Sequence, residues 1–159
     1  MGEAGSIDIG RFARDLHPMV VHFPLALMLT GLAFEVVAAV RRHAGLARVA
    51  LLLIGLGFAA ALVAVVTGLT NPEVRAVQHT LSVTPPTEPG TRALFLQRLD
   101  RIRVHQRLAY GVLLTGALVL LVRLWRGRGR LWTVASVMSG AALAVALIAT
   151  GFAGGRLAR

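Results

Sequence analysis

Val49-Ala50-Leu51-Leu52-Leu53-Ile54-Gly55-Leu56-Gly57-Phe58-Ala59-Ala60-Ala61-Leu62-Val63-Ala64-Val65-Val66-Thr67-Gly68-Leu69 contains no charged residue. At about 1.5 Å per residue, such a run wound as a helix crosses about 30 Å of hydrocarbon. A helix is also the one form in which a single segment satisfies its own backbone there. Working outward, three further apolar stretches have nearly the same length: Met19 to Val40 before it, and Val104 to Val122 and Leu131 to Ala153 after it. They predict an all-α fold, an integral membrane four-helix bundle, as a single transmembrane domain over 1–159. Its spans lie at about 18–40, 47–70, 103–124 and 131–154, with an outer loop at about 71–102. The 159 residues are 56% apolar and 15% charged, with a mean hydropathy of +0.71. That composition leaves no room for a separate soluble catalytic domain. The first apolar run is long enough to span, so a cleaved signal peptide is not expected.

The third span is the weakest, apolar only from Leu108 to Val122 between Arg107 and Arg123. Its ends must snorkel or lean on neighbours. There are 17 basic residues against 7 acidic ones, a net charge of +10, and every basic residue is Arg. In a soluble protein this excess would suggest nucleic acid. Here the arginines lie at span ends, where they set topology and meet anionic lipid, so the bilayer rather than nucleic acid is the expected partner. Arg41, Arg42 and Arg48 lie in the first short turn and Arg123, Arg126, Arg128 and Arg130 in the second, without an acid. Arginines on the other side are mixed with Glu3, Asp8, Asp15, Glu73, Glu88 and Asp100. The short turns are therefore expected in the cytoplasm and both termini outside. Cysteine is absent, which excludes thiolate, iron–sulfur and covalent c-type haem chemistry.

Within the long loop, Asn71 as N-cap, Pro72 at the first helical position, and Val74, Val77 and Leu81 predict a short interfacial helix. The run Thr84-Pro85-Pro86-Thr87-Glu88-Pro89-Gly90 breaks it, and Phe95, Leu99 and Ile102 form a second amphipathic stretch that runs into span three. Gly57 with Ala61, Ser136 with Gly140, and Gly151 with Gly155 read as small-residue packing pairs.

Four of the five histidines fall on the expected outer side: His17 and His22 at span one, His79 in the loop, and His105 at span three. Imidazoles at one membrane depth can hold a metal or haem between facing helices. Haem b fits best, needing only axial His, an apolar slot, and cations for its propionates. Arg98, Arg101 and His105 share one helix face at i, i+3, i+7, so a ring ligated by His105 can turn its propionates to Arg101 or Arg98. His22 is the expected second ligand, because His17 precedes Pro18 and is pushed toward an extended conformation. A histidine near a helix end is also often no more than a hydrogen-bonded interfacial side chain, and lipid-facing arginines would produce the same pattern. Glu35 is the one acid inside a span and is expected to pair with Arg42 or Arg123, or to stay protonated. Pro24 removes one backbone hydrogen bond beside His22.

Leu16-His17-Pro18-Met19-Val20-Val21-His22-Phe23-Pro24-Leu25-Ala26-Leu27 resembles the opening signature of the domain-of-unknown-function-2231 family of four-span bacterial membrane proteins. The resemblance extends through Thr67-Gly68-Leu69, His105 and Gly154-Gly155-Arg156-Leu157. It implies a bacterial membrane protein, which with the arginine asymmetry places the expected location in the inner membrane with both termini periplasmic, and a redox neighbourhood, since members sometimes occur beside or fused to cytochrome-like modules. The chain departs from the family at Thr70-Asn71, where an acid is common. It also ends at Ala158-Arg159, where a Val-Tyr-x-His-Gly segment often follows, so no role needing a fourth-helix His is expected.

The leading expectation is a b-type haem-binding electron-transfer or redox-accessory subunit, a carrier rather than a catalyst. His22 and His105 would ligate the iron, with Arg98 and Arg101 near the propionates and His17 and His79 as secondary metal candidates. Its partners would be a larger membrane complex or an outer-side electron carrier. The alternative is a cofactor-free structural subunit packing in or on such a complex. A copper or other metal-ion site built from His17, His22 and His79 lacks accompanying Met clusters.

Overall fold

The computed structural model describes residues 9–70, 75–76, 79–80, 83, 87–125 and 130–157, with backbone alone for 9–20, 130–132 and 157. Four long helices organise it: α1 (Ile9–Arg41), α2 (Ala44–Leu69), α3 (Pro89–Leu124) and α4 (Arg130–Leu157). The windows Val21–Arg41, Ala44–Leu69, Pro89–Leu124 and Thr133–Arg156 are each long and apolar enough to cross a membrane. Every helix also keeps large apolar side chains on its outer face, with Val40 78%, Leu56 60%, Leu114 74% and Ile148 64% exposed. An apolar rim of that extent suits lipid rather than water. Hydroxyls inside the spans return to their own helices: Thr115 Oγ1 donates to the Gly111 carbonyl at 2.8 Å and Thr150 Oγ1 to the Ala146 carbonyl at 2.7 Å. No hydroxyl of that pair is left to hydrocarbon.

The α1–α2 junction is as short as the sequence implies. Arg42 takes a left-handed conformation, φ 51°, and the His43 amide donates to the Ala38 carbonyl at 3.0 Å. This is a Schellman closure with arginine where glycine is usual. His43 then caps α2, its Nδ1 accepting from the Leu46 amide at 3.2 Å. The odd histidine of the short-turn side thus has a local structural job. At the other end of the bundle, α3 begins at Pro89, inside the expected break. Proline tolerates a first helical position because its missing N–H would lack an intrahelical partner anyway. The Phe95, Leu99 and Ile102 stretch runs into span three as expected, with Leu99 and Ile102 buried. Of the expected interfacial helix, Asn71, Pro72, Val74, Val77 and Leu81 lie outside the described residues, while Arg75, Ala76, His79, Thr80 and Val83 are helical.

Helix α1 packs most extensively on α2, and α3 on α4, while α2–α3 and α1–α4 contacts close the ring. Met28, Ile54, Val112, Val119, Leu143 and Leu147 form the buried core. Since lipid is as apolar as this core, close fit rather than water exclusion holds the helices together. Glycines supply the fit. A β-carbon on Gly57 would lie 2.6 Å from Met28 Cγ, one on Gly31 2.7 Å from Ile54 Cγ1, and one on Gly116 3.1 Å from Met28 Cε. The expected Gly57 and Ala61 pair is buried. Gly140 and Gly151 make ordinary contacts, Gly140 with Leu32 and Gly151 with Leu25, and a β-carbon on Gly155 meets nothing within 4 Å among the described residues. The neighbouring Gly154 instead meets α3.

Candidate functional site

Two groups of polar side chains lie at opposite ends of the bundle. At the long-loop end, His105 of α3 packs against α4. A β-carbon on Gly154 would sit 3.2 Å from His105 Cε1 and 3.6 Å from Nδ1. The imidazole therefore turns its Nδ1–Cε1 edge to α4, and Nδ1 is shielded from solvent. One turn outward, Arg101 Nη1 donates to the Arg156 carbonyl at 3.4 Å. Arg156 lies over the Phe152 ring, 4.5 Å from its centroid. Arg101 thus neutralises the carbonyl-rich end of α4. Arg98 and Arg101 are exposed, as their spacing on the outer face of α3 requires.

The placement of the α1 histidines follows from helix register. Leu25 meets Gly151, and Gly154 meets His105. Because α1 and α4 run antiparallel, a step outward from Leu25 toward His22 matches the step from Gly151 to Gly154. Helices α1 and α3 run parallel, and the Met28–Gly116 and Glu35–Arg123 contacts share one residue offset. Extended along α1, that offset brings His105 level with position 17. His105 consequently lies at a depth bracketed by His17 and His22, about a turn and a half apart. Helix α1 is continuous from Ile9 through Pro18, contrary to the extended segment expected at His17. In a membrane bundle, neighbouring helices and local adjustments absorb an interior proline. The ground for preferring His22 over His17 is thereby removed. His22 is exposed and off the buried stripe of Pro24, Met28 and Gly31. His79 is exposed. Among the described residues, no group of three or more His, Cys, Asp or Glu is arranged to hold a metal ion.

At the short-turn end, Glu35 of α1 forms an ion pair with Arg123 of α3. Arg123 is therefore the partner, while Arg42 serves the α1 terminus. Arg123 Nη2 also donates to the Ser136 carbonyl at 3.4 Å, tying the pair to α4. Glu35, Arg123 and Arg48 line a cleft of about 210 Å³, completed by Ala47, Ala50, Leu51 and Ile54. Sequence reasoning anticipated the ion pair. It did not anticipate the cleft, the Ser136 carbonyl, or Gly154 under His105, because each depends on how helices far apart in sequence face one another.

The family model for predicted membrane proteins of the DUF2231 type matches residues 13–159, and the chain belongs to that family. No curated protein and no solved structure matches the chain.

Proposed function

We propose that this member of the DUF2231 family is a b-type haem-binding electron-transfer or redox-accessory subunit of the bacterial inner membrane. His105 and a histidine of α1, either His22 or His17, serve as axial ligands, and Arg98 and Arg101 lie near the propionates. One observation supports the reading: the His105 imidazole rests its Nδ1–Cε1 edge on Gly154 at a depth bracketed by the two α1 histidines. Iron ligation through Nε2 suits an imidazole whose Nδ1–Cε1 edge packs on Gly154. Gly154 fixes the ring, since a larger residue there would push it out of the α3–α4 seam. Arg98 and Arg101 hold carboxylates at the water boundary, where charge-assisted contacts are least costly to form. When bound, haem supplies a one-electron couple whose potential these surroundings tune. The partner would be a larger membrane complex or a carrier at the outer face.

The cofactor-free structural reading draws on the same imidazole, because a histidine packed on a glycine can simply fill a helix seam. Reduced-minus-oxidised visible spectra of the protein purified in mild detergent separate the two. Soret and α bands are expected, to be lost in His105→Ala and in one of His22→Ala and His17→Ala. Colourless protein sinks the haem reading, and its co-purification with a larger assembly would support the structural one.

The arginine-rich turns set the short-turn end in the cytoplasm and both termini in the periplasm. A reporter active only in the cytoplasm, fused after Arg159, is expected to stay silent; activity there reverses the orientation.

A further inference from the structure

The cleft at the short-turn end serves neither haem nor helix capping. Among the described residues its charged lining is Arg48, Arg123 and Glu35, which leaves one positive charge after the acid is neutralised. Arg123 is under-used: it meets Glu35 through Nη1 and the Ser136 carbonyl through Nη2, and its Nε is buried with no hydrogen-bond partner among the described residues. A guanidinium has more N–H donors than these two contacts use. Helix α2 begins at Ala44, so the positive end of its dipole lies one turn from Arg48. The remaining walls, Ala47, Ala50, Leu51 and Ile54, are apolar.

The depth is also informative. Glu35 is less than two turns from the end of α1 at Arg41, Arg48 lies in the second turn of α2, and Arg123 is in the last turn of α3. These positions lie within about 10 Å of the helix ends, which is where lipid phosphates meet the hydrocarbon.

We infer that the Arg48–Arg123 cleft is a phosphate-binding site, with the phosphodiester of an anionic lipid seated between the two guanidiniums and its acyl chains along Leu51 and Ile54. Glu35 orients Arg123, and its charge limits affinity, so the site binds reversibly. A free phosphate ion would use the same donors without the apolar wall.

The test uses the full chain in detergent, with binding of short-chain phosphatidylglycerol, short-chain phosphatidylcholine and inorganic phosphate followed by native mass spectrometry and thermal shift. Phosphatidylglycerol is expected to bind more tightly than phosphatidylcholine. Arg48→Gln should weaken it about tenfold, the loss of one charge-assisted contact. Arg41→Gln removes the same charge from an exposed position outside the cleft lining and should leave binding unchanged. Arg48-dependent binding of inorganic phosphate with no preference for phosphatidylglycerol would support the phosphate site and assign its ligand to the soluble ion. Equal binding by wild type and Arg48→Gln, equal losses in Arg48→Gln and Arg41→Gln, or binding of neither phosphate source would overturn the proposal.

Discussion

Glu35→Ala is expected to lower the stability of the bundle by about 3 kcal/mol, the low end for breaking a buried ion pair. Removing the carboxylate leaves Arg123, among the described residues, with the Ser136 carbonyl at 3.4 Å as its acceptor. An arginine stranded between helices is costly in lipid as in a soluble core, because its donors must find water or acceptors. The low end applies because the Arg123 and Glu35 side chains keep 21% and 19% of their surface exposed and border an open cleft. Arg123→Ala should cost less, since a lone Glu35 can take up a proton. The double replacement Glu35→Leu with Arg123→Met should recover most of the loss, because it removes both charges and keeps the volume. Reversible unfolding in mixed micelles measures all three. A cost below about 1 kcal/mol for Glu35→Ala would mean that the pair behaves as a hydrated surface contact.

Gly57→Leu should be nearly as damaging, at about 3 kcal/mol, and Gly57→Ala about 1–2 kcal/mol. Even a single β-carbon there would lie 2.6 Å from Met28 Cγ and 3.1 Å from the Met28 amide nitrogen. The contact involves backbone and an inner side-chain atom, so α1 and α2 must separate rather than one side chain swing aside. Met28 also touches Gly116, and separation would spread to α3. Gly55 supplies the control. It belongs to the same helix, but a β-carbon on it meets nothing within 4 Å. Gly55→Ala should therefore gain about 0.5–1 kcal/mol from helix propensity. Opposite signs for two glycine-to-alanine changes two residues apart, read in the same unfolding assay, would locate the close approach. Equal effects would mean that α1 and α2 do not pack at Gly57.

The order and number of helices were legible in the sequence because a membrane span is a local property. A sufficient run of apolar residues must become a helix in hydrocarbon whatever its neighbours do. The Glu35–Arg123 pair was nearly legible for a related reason: an acid inside a span must find a cation at its own depth, and few were available. The outer-side histidines were legible only by their depth. The preference for His22 in α1 rested on Pro18 pushing His17 toward an extended conformation, and a proline's effect inside a bundle depends on the helices that surround it.

The sequence by itself determined the four spans, the apolar exterior, the arginine asymmetry between the two ends and the depth of each titratable side chain, since these follow from hydropathy and helical rise. Only the tertiary structure decided which glycines are close approaches. Gly31, Gly57 and Gly116 press against side chains while a β-carbon on Gly55 meets nothing within 4 Å among the described residues, although nothing local distinguishes them. It likewise decided that Gly154 lies under His105 and that Arg48 joins Arg123 around one cleft. Rotation and register between helices are set by the fit of their surfaces, and that fit has no counterpart in the hydropathy of any one helix.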